Sequence, residues 1–240
     1  MEVILILLVV IMANAIGTLT GFGLSTVMIP VMVLFYPLAE SLLFVGIVHW
    51  FGDVWKLVLF REGIRWKLIL SFGIPGIVAT IVGASLVFSV SSAILSRVLG
   101  VFLVLYVVFL LVRSSFQVTP RTGTSVAGGA LSGFFAGIFG MGGAIRAVFL
   151  TAFNLPKAVY LATAGAIALA IDTSRLITYF YEGTRLSPLL GWGMLLFVPA
   201  SFLGARIAKR FVNRIPQEHF RKVLAAFLLL VGLRLLIWPK

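Results

Sequence analysis

The sequence predicts an all-α, polytopic membrane protein built from two inverted repeats, each a glycine-broken hairpin followed by three transmembrane helices. Three observations lead there. Of 240 residues, 61% are hydrophobic and 11% charged, with a mean hydropathy of +1.17, whereas a soluble domain carries about 25% charged and about 45–50% apolar residues. So much apolar surface cannot be hidden inside one chain, and lipid must cover it. The chain also repeats itself: Gly21-Phe22-Gly23, Pro37, Ala39 and Asp53 recur 119 residues later as Gly140-Met141-Gly142, Pro156, Ala158 and Asp172. Finally, the basic residues sit in short clusters between apolar runs, as they do in cytoplasmic loops.

The whole chain, residues 1–240, reads as one membrane domain, with a first repeat over 1–113 and a second over 125–240. The apolar stretches of the first half are Val3–Tyr36, Ser41–Phe60, Trp66–Phe88 and Ala93–Val112. Those of the second are Ser125–Phe153, Ala158–Tyr181, Leu189–Ala208 and Phe220–Trp238. Most approach the roughly 20 residues of a spanning helix. A polar connector, Ser114–Thr124, joins the halves. Pro75 answers Pro199, and Gly83-Ala84 answers Gly204-Ala205. The amino-terminal run lacks a basic leader and continues past signal-peptide length, so no cleaved signal is expected.

The first stretch of each half is too long and too rich in glycine for one rod. As a single helix, Val3–Tyr36 would reach about 51 Å, against a hydrocarbon core of about 30 Å. Gly17, Gly21 and Gly23 interrupt it, and Gly128, Gly129, Gly133, Gly137, Gly140, Gly142 and Gly143 interrupt its partner. Glycine supplies the backbone freedom for an elbow. New half-helices are expected near Leu24 or Ser25 and near Ala144. If both stretches fold back, three net crossings per half place Arg61–Lys67, Arg113–Arg121, Lys157 and Arg206–Lys222 on one side. Glu2, Glu40 and the Glu182/Arg185 loop then fall on the other. An odd number of crossings inverts the repeats, and the positive-inside rule puts both termini outside the cell membrane.

Several residues then become candidates for chemistry. A half-helix start presents unpaired N–H groups and the positive dipole end, which attract anions. Gly21, Gly23, Ser25, Gly140, Gly142 and Gly143 are therefore read as substrate-binding, together with Arg146, whose planar fork suits an oxyanion. Against this, Gly129, Gly133 and Gly137 lie four apart and suit close helix packing. Arg146 could equally snorkel or pair with an acid. Asp53 and Asp172 lie in apolar helices, each three residues before a base, Lys56 and Arg175. They read as local ion pairs or as coupling and gating groups at the two ends, with His49 as a proton relay or a packing partner. The hydroxyls of Ser25, Thr26 and Thr151 either reach the elbows or bond their own backbone.

Gly21-Phe22-Gly23 before Pro30, with Gly140-Met141-Gly142-Gly143 in a duplicated chain of this length, resembles the sulfite exporter TauE/SafE family. The resemblance covers nearly the full length. It implies export of sulfite, an organosulfonate or another small organic anion. The first copy departs from the family's GxGGG-like run, and Phe149 stands where the second copy's proline would be.

The leading function is thus secondary transport of a small anion by alternating access, with proton coupling as an option, an anion channel as the alternative and a membrane-embedded enzyme a distant third. With two histidines, seven acids, no cysteine and no Walker loop, no catalytic residue, metal site or cofactor is expected. The expected partners are the substrate anion and the lipid bilayer. A net charge of +12, dispersed over loops, gives no footprint for nucleic acid.

Overall fold

The computed structural model describes residues 2–20, 23–60, 63–112, 119–211 and 217–239. Gly21 and Phe22 of the repeated motif lie outside them, as do Arg61, Arg113 and Arg214. The described residues form helices joined by short loops, with no strand among them. In the first half these are α1 (Glu2–Thr20), α2 (Ser25–Met32), α3 (Leu38–Leu59), α4 (Trp66–Ser89) and α5 (Ser92–Val112). In the second they are α6 (Thr122–Phe139), α7 (Gly142–Leu150), α8 (Lys157–Tyr181), α9 (Pro188–Phe211) and α10 (Gln217–Ile237). A 3-10 turn, Thr151–Phe153, extends α7. Six of these helices are long and apolar enough to cross a membrane: α1, α3, α4, α5, α8 and α9.

Both long glycine-bearing stretches break where the glycines lie. Gly23 takes φ +84° and Gly140 φ +66°, left-handed conformations that cost a side chain dearly. They are not equivalent positions of the repeat, since Gly140 answers Gly21 and Gly142 answers Gly23. The first stretch doubles back onto its own last turn: the Gly23 amide donates to the Gly17 carbonyl at 3.2 Å. Far from the elbow, the Tyr36 hydroxyl donates to Glu2, so the stretch returns to where it began. The second stretch does likewise. A Cβ at Gly128 would stand 2.6 Å from Phe149, and one at Gly142 would strike the Ser132 carbonyl. The limbs are unequal, however: α1 at 19 residues is about 28 Å long and α2 at 8 residues about 12 Å.

Proline starts the next helix in both halves. Pro37 and Pro156 occupy the position before α3 and α8 with nearly the same backbone, φ −54° and ψ 147° against φ −51° and ψ 142°. A proline has no N–H to leave unpaired there, and its fixed φ aims the chain into the helix. The connector differs from expectation, because α6 begins at Thr122, within it.

The packing is symmetric under exchange of the halves. The hairpin helix α1 packs on α9 and its counterpart α6 on α4; α3 pairs with α8, and α5 with α10. Small residues set these distances. Gly129, Gly133 and Gly137 press against the carbonyls of Phe72, Gly76 and Thr80, so α4 and α6 run parallel and in register at backbone contact. The Thr80 hydroxyl donates to the Gly133 carbonyl across the seam. That glycine stripe is packing, because helices drawn together in lipid need small residues between them. Gly133→Ala places a methyl against the Gly76 backbone, which cannot rotate away. It is expected to lower stability by about 1–3 kcal/mol. Thermal unfolding in detergent checks this, with Gly191→Ala, whose Cβ meets open space, as the neutral comparison.

Apolar side chains cover the outside. Leu8 and Met12 of α1, Ile74 and Val78 of α4, Leu105 of α5 and Leu195 of α9 are all exposed. Polar residues are drawn inward instead: Asn14, Ser25, His49, Asp53, Lys56, Arg146, Asp172 and Arg175 are buried. This is the arrangement lipid imposes, since hydrocarbon cannot satisfy a polar group.

Candidate anion site at the glycine elbows

The site grows from α3 and α8, the two helices that follow the hairpins. Each carries an acid and a base three residues apart, one turn along the same face. In α3, Lys56 Nζ donates to Asp53 Oδ1 at 2.6 Å. In α8, Arg175 Nη2 lies 2.9 Å from Asp172 Oδ1. Asp53 and Arg175 have no exposed surface, and Asp172 and Lys56 almost none. Each pair is thus the local ion pair that the spacing suggests.

His49 joins them. It lies one turn before Asp53, and its Nδ1–H donates to Asp172 Oδ2 at 2.6 Å, reaching across from one half to the other. Its Nε2 faces Asp53 Oδ2 at 3.6 Å. The two acids therefore belong to one cluster, their side chains within 4.8 Å of a shared histidine and of each other. This corrects the expectation of separate groups at the two ends. Helices α3 and α8 pack together, and the bond from His49 to Asp172 brings both acids to one point.

The elbows abut the same cluster. A Cβ at Gly23 would come within 2.6 Å of His49 Nε2, and one at Gly140 would collide with Arg175 Nη1. Only glycine lets the backbone come so close. Arg175 Nη1 also donates to the Ala136 carbonyl at 3.4 Å, and the Tyr179 hydroxyl donates to the Gly137 carbonyl. Both reach carbonyls in the last turn of α6, where the dipole is negative, a natural seat for a cation.

Gly142 and Gly143 lie inside α7 rather than before it, and Gly142 packs against α6. Arg146 is consequently the fifth residue of α7, beyond the first turn, so the dipole at that end acts on it only weakly. Its charge is the more telling feature. Arg146 is buried, forms no ion pair among the described residues, and its Nε has no hydrogen-bond partner there. It lies within electrostatic reach of Asp172 and of Tyr160. Ser25, the first residue of α2, is also buried with its hydroxyl unpartnered among the described residues. The helices α2 and α7 touch. Thr151, by contrast, is exposed and bonds the Val148 carbonyl, away from the elbow.

Two acids and three bases make up the cluster, leaving one positive charge in excess with His49 neutral. His49, Asp53 and Asp172 are metal-ligating types at close quarters, but Lys56 and Arg175 already hold both carboxylates. A cation would meet that excess positive charge, whereas an anion would relieve it. The asymmetry has a sequence basis: at the repeat spacing, Arg146 is matched by Val27 and His49 by Ala168.

Other polar links escaped the sequence. Asn14 donates to the Ser201 carbonyl, tying α1 to α9. Trp55 Nε1 donates to Ser201 Oγ at 3.0 Å, and Trp50 Nε1 to Thr173 Oγ1 at 2.8 Å. An amide in an apolar run was the visible signal for Asn14; Tyr179 announced itself only by standing one turn beyond Arg175.

Comparison with curated proteins and with solved structures returns no match. The family model for sulfite exporter TauE/SafE matches residues 6–235, nearly the whole chain. With its all-helical, lipid-facing fold and its full-length match, the chain belongs to the sulfite exporter TauE/SafE family of membrane transporters.

Proposed function

We propose that the protein is a secondary transporter, acting as an exporter, for a small oxyanion such as sulfite, an organosulfonate or a short carboxylate. The observation that carries this reading is Arg146: a buried guanidinium with no ion pair among the described residues, which is itself the one positive charge that the two acids of the cluster leave uncompensated. A buried ionic group left without partners is costly, and a bound oxyanion would remove that cost. Arg146 supplies two parallel donors, the Ser25 hydroxyl a third, and the half-helix starts their free N–H groups.

In this reading the two halves are oppositely oriented in the cell membrane, with both termini outside, and they rock against each other about the site. The hydrogen bond from His49 to Asp172 is the polar link between halves within the cluster, and such rocking must break and remake it. His49, placed between Asp53 and Asp172, can carry a proton across that link, coupling transport to protons. Gly23 and Gly140 let the backbone bear on His49 and Arg175, so binding at the elbows is felt by the acid–base pairs.

The test is flux. Purified protein in liposomes is expected to show saturable uptake of one of sulfite, sulfoacetate, taurine, thiosulfate or a short carboxylate. An excess of that anion on the far side should accelerate uptake. Unsaturable flux with single-channel currents would replace the carrier with a pore.

A further inference from the structure

A basic cavity lies apart from the elbows. A cavity of about 640 Å³ opens where α4 and α6 begin, between the loop that follows α3 and the turn that follows α7. Arg65, Lys67 and Arg121 line it, and no acid does among the described residues. All three bases are exposed. The remaining wall is largely apolar, with Trp66, Phe153 and Leu155 prominent. The volume falls in the range of roughly 300–1,000 Å³ common for small-ligand sites.

The packing of α4 and α6 makes this end unusually positive. Because the two helices run parallel and in register, their amino-termini come side by side at the cavity instead of cancelling tail to head. Neither start has a side-chain cap, and neither has an acid in its first turn. Both are preceded by arginine, Arg65 and Arg121. A soluble helix would normally offset such an end with Asp, Glu, Ser or Thr. Here two uncompensated helix starts and three cationic side chains surround one hollow. The Arg65 amide donates to Thr163 Oγ1 of α8 at 3.2 Å, which fixes the loop in place.

We propose that this cavity is a site for a phosphate-class oxyanion, whose source is the headgroup of an anionic membrane lipid. The bases and helix starts would hold the phosphate, and the apolar wall with the exposed Trp66 ring would take the adjoining glycerol and acyl carbons. Such basic pockets between helices at a membrane surface are where anionic headgroups settle. The site would tie α4 to α6, one of the seams between the two halves.

Thermal unfolding of the detergent-purified full chain tests the proposal. Three additions are compared: phosphatidylglycerol, phosphatidylcholine and inorganic phosphate. Phosphatidylglycerol is expected to raise the unfolding temperature and phosphatidylcholine not to. The triple variant Arg65→Gln, Lys67→Gln, Arg121→Gln should lose most of that rise. Arg185→Gln, which removes an exposed base elsewhere, should keep it, and so should Arg146→Ala, which separates this cavity from the elbow site. A rise with inorganic phosphate as well would support the oxyanion site and give it a soluble source. No rise with either anion, or an undiminished rise in the triple variant, would overturn it.

Discussion

Arg175→Ala is expected to be the most destabilising single substitution in the buried network, costing about 3–5 kcal/mol. Arg175 has no exposed surface, pairs with Asp172 at 2.9 Å, and reaches the Ala136 carbonyl at the end of α6. Removing it takes the cationic partner from the Asp172 carboxylate and a side-chain donor from the Ala136 carbonyl, in surroundings where water cannot substitute. The loss should be smaller when both members of the pair go, because an uncompensated charge is then not left behind. Asp172→Asn with Arg175→Met is therefore expected to regain much of the stability while remaining inactive. Unfolding in detergent, followed by tryptophan fluorescence, reads both. Equal destabilisation of the single and double variants would show that the pair's mutual charge is not what holds α8 to α6.

Arg146→Ala is expected to behave in the opposite way. Arg146 is as buried as the other bases, yet no acid lies within ion-pair distance among the described residues. Deleting it should leave the empty protein as stable as before or more so, since a desolvated charge is removed. Anion binding should fall about 10- to 100-fold, as expected from about 1.5–3 kcal/mol for hydrogen bonds to a charged group. Arg146→Lys keeps the charge but not the fork and should recover only part of the loss. The two variants are thus expected to separate stability from anion binding.

Much of this architecture was legible in the chain. Apolar runs of the right length marked the helices, because lipid demands it. The glycines marked both elbows, because no other residue takes φ +84° or +66° readily. Acid and base three apart announced the pairs Asp53–Lys56 and Asp172–Arg175, since one helical turn brings them together. What could not be read was the meeting of the two pairs. The bond from His49 to Asp172 spans 123 residues of chain, and periodicity along one helix says nothing of where two helices cross. The small-residue stripe Gly129, Gly133 and Gly137 was equally ambiguous, because close packing and a ligand site both ask for small residues. The start of α7 came out two residues early for a related reason: Gly142 is tolerated inside the helix because a Cβ there would strike α6.

The account rests on a buried positive site at the elbows that takes a small anion. Sulfite counterflow into liposomes tests it most directly, with Arg146→Ala compared against the unaltered protein and the unfolding temperature measured on both. The expected result is saturable exchange in the unaltered protein and loss of exchange in the variant, with no fall in the variant's unfolding temperature. Undiminished exchange by Arg146→Ala would contradict it.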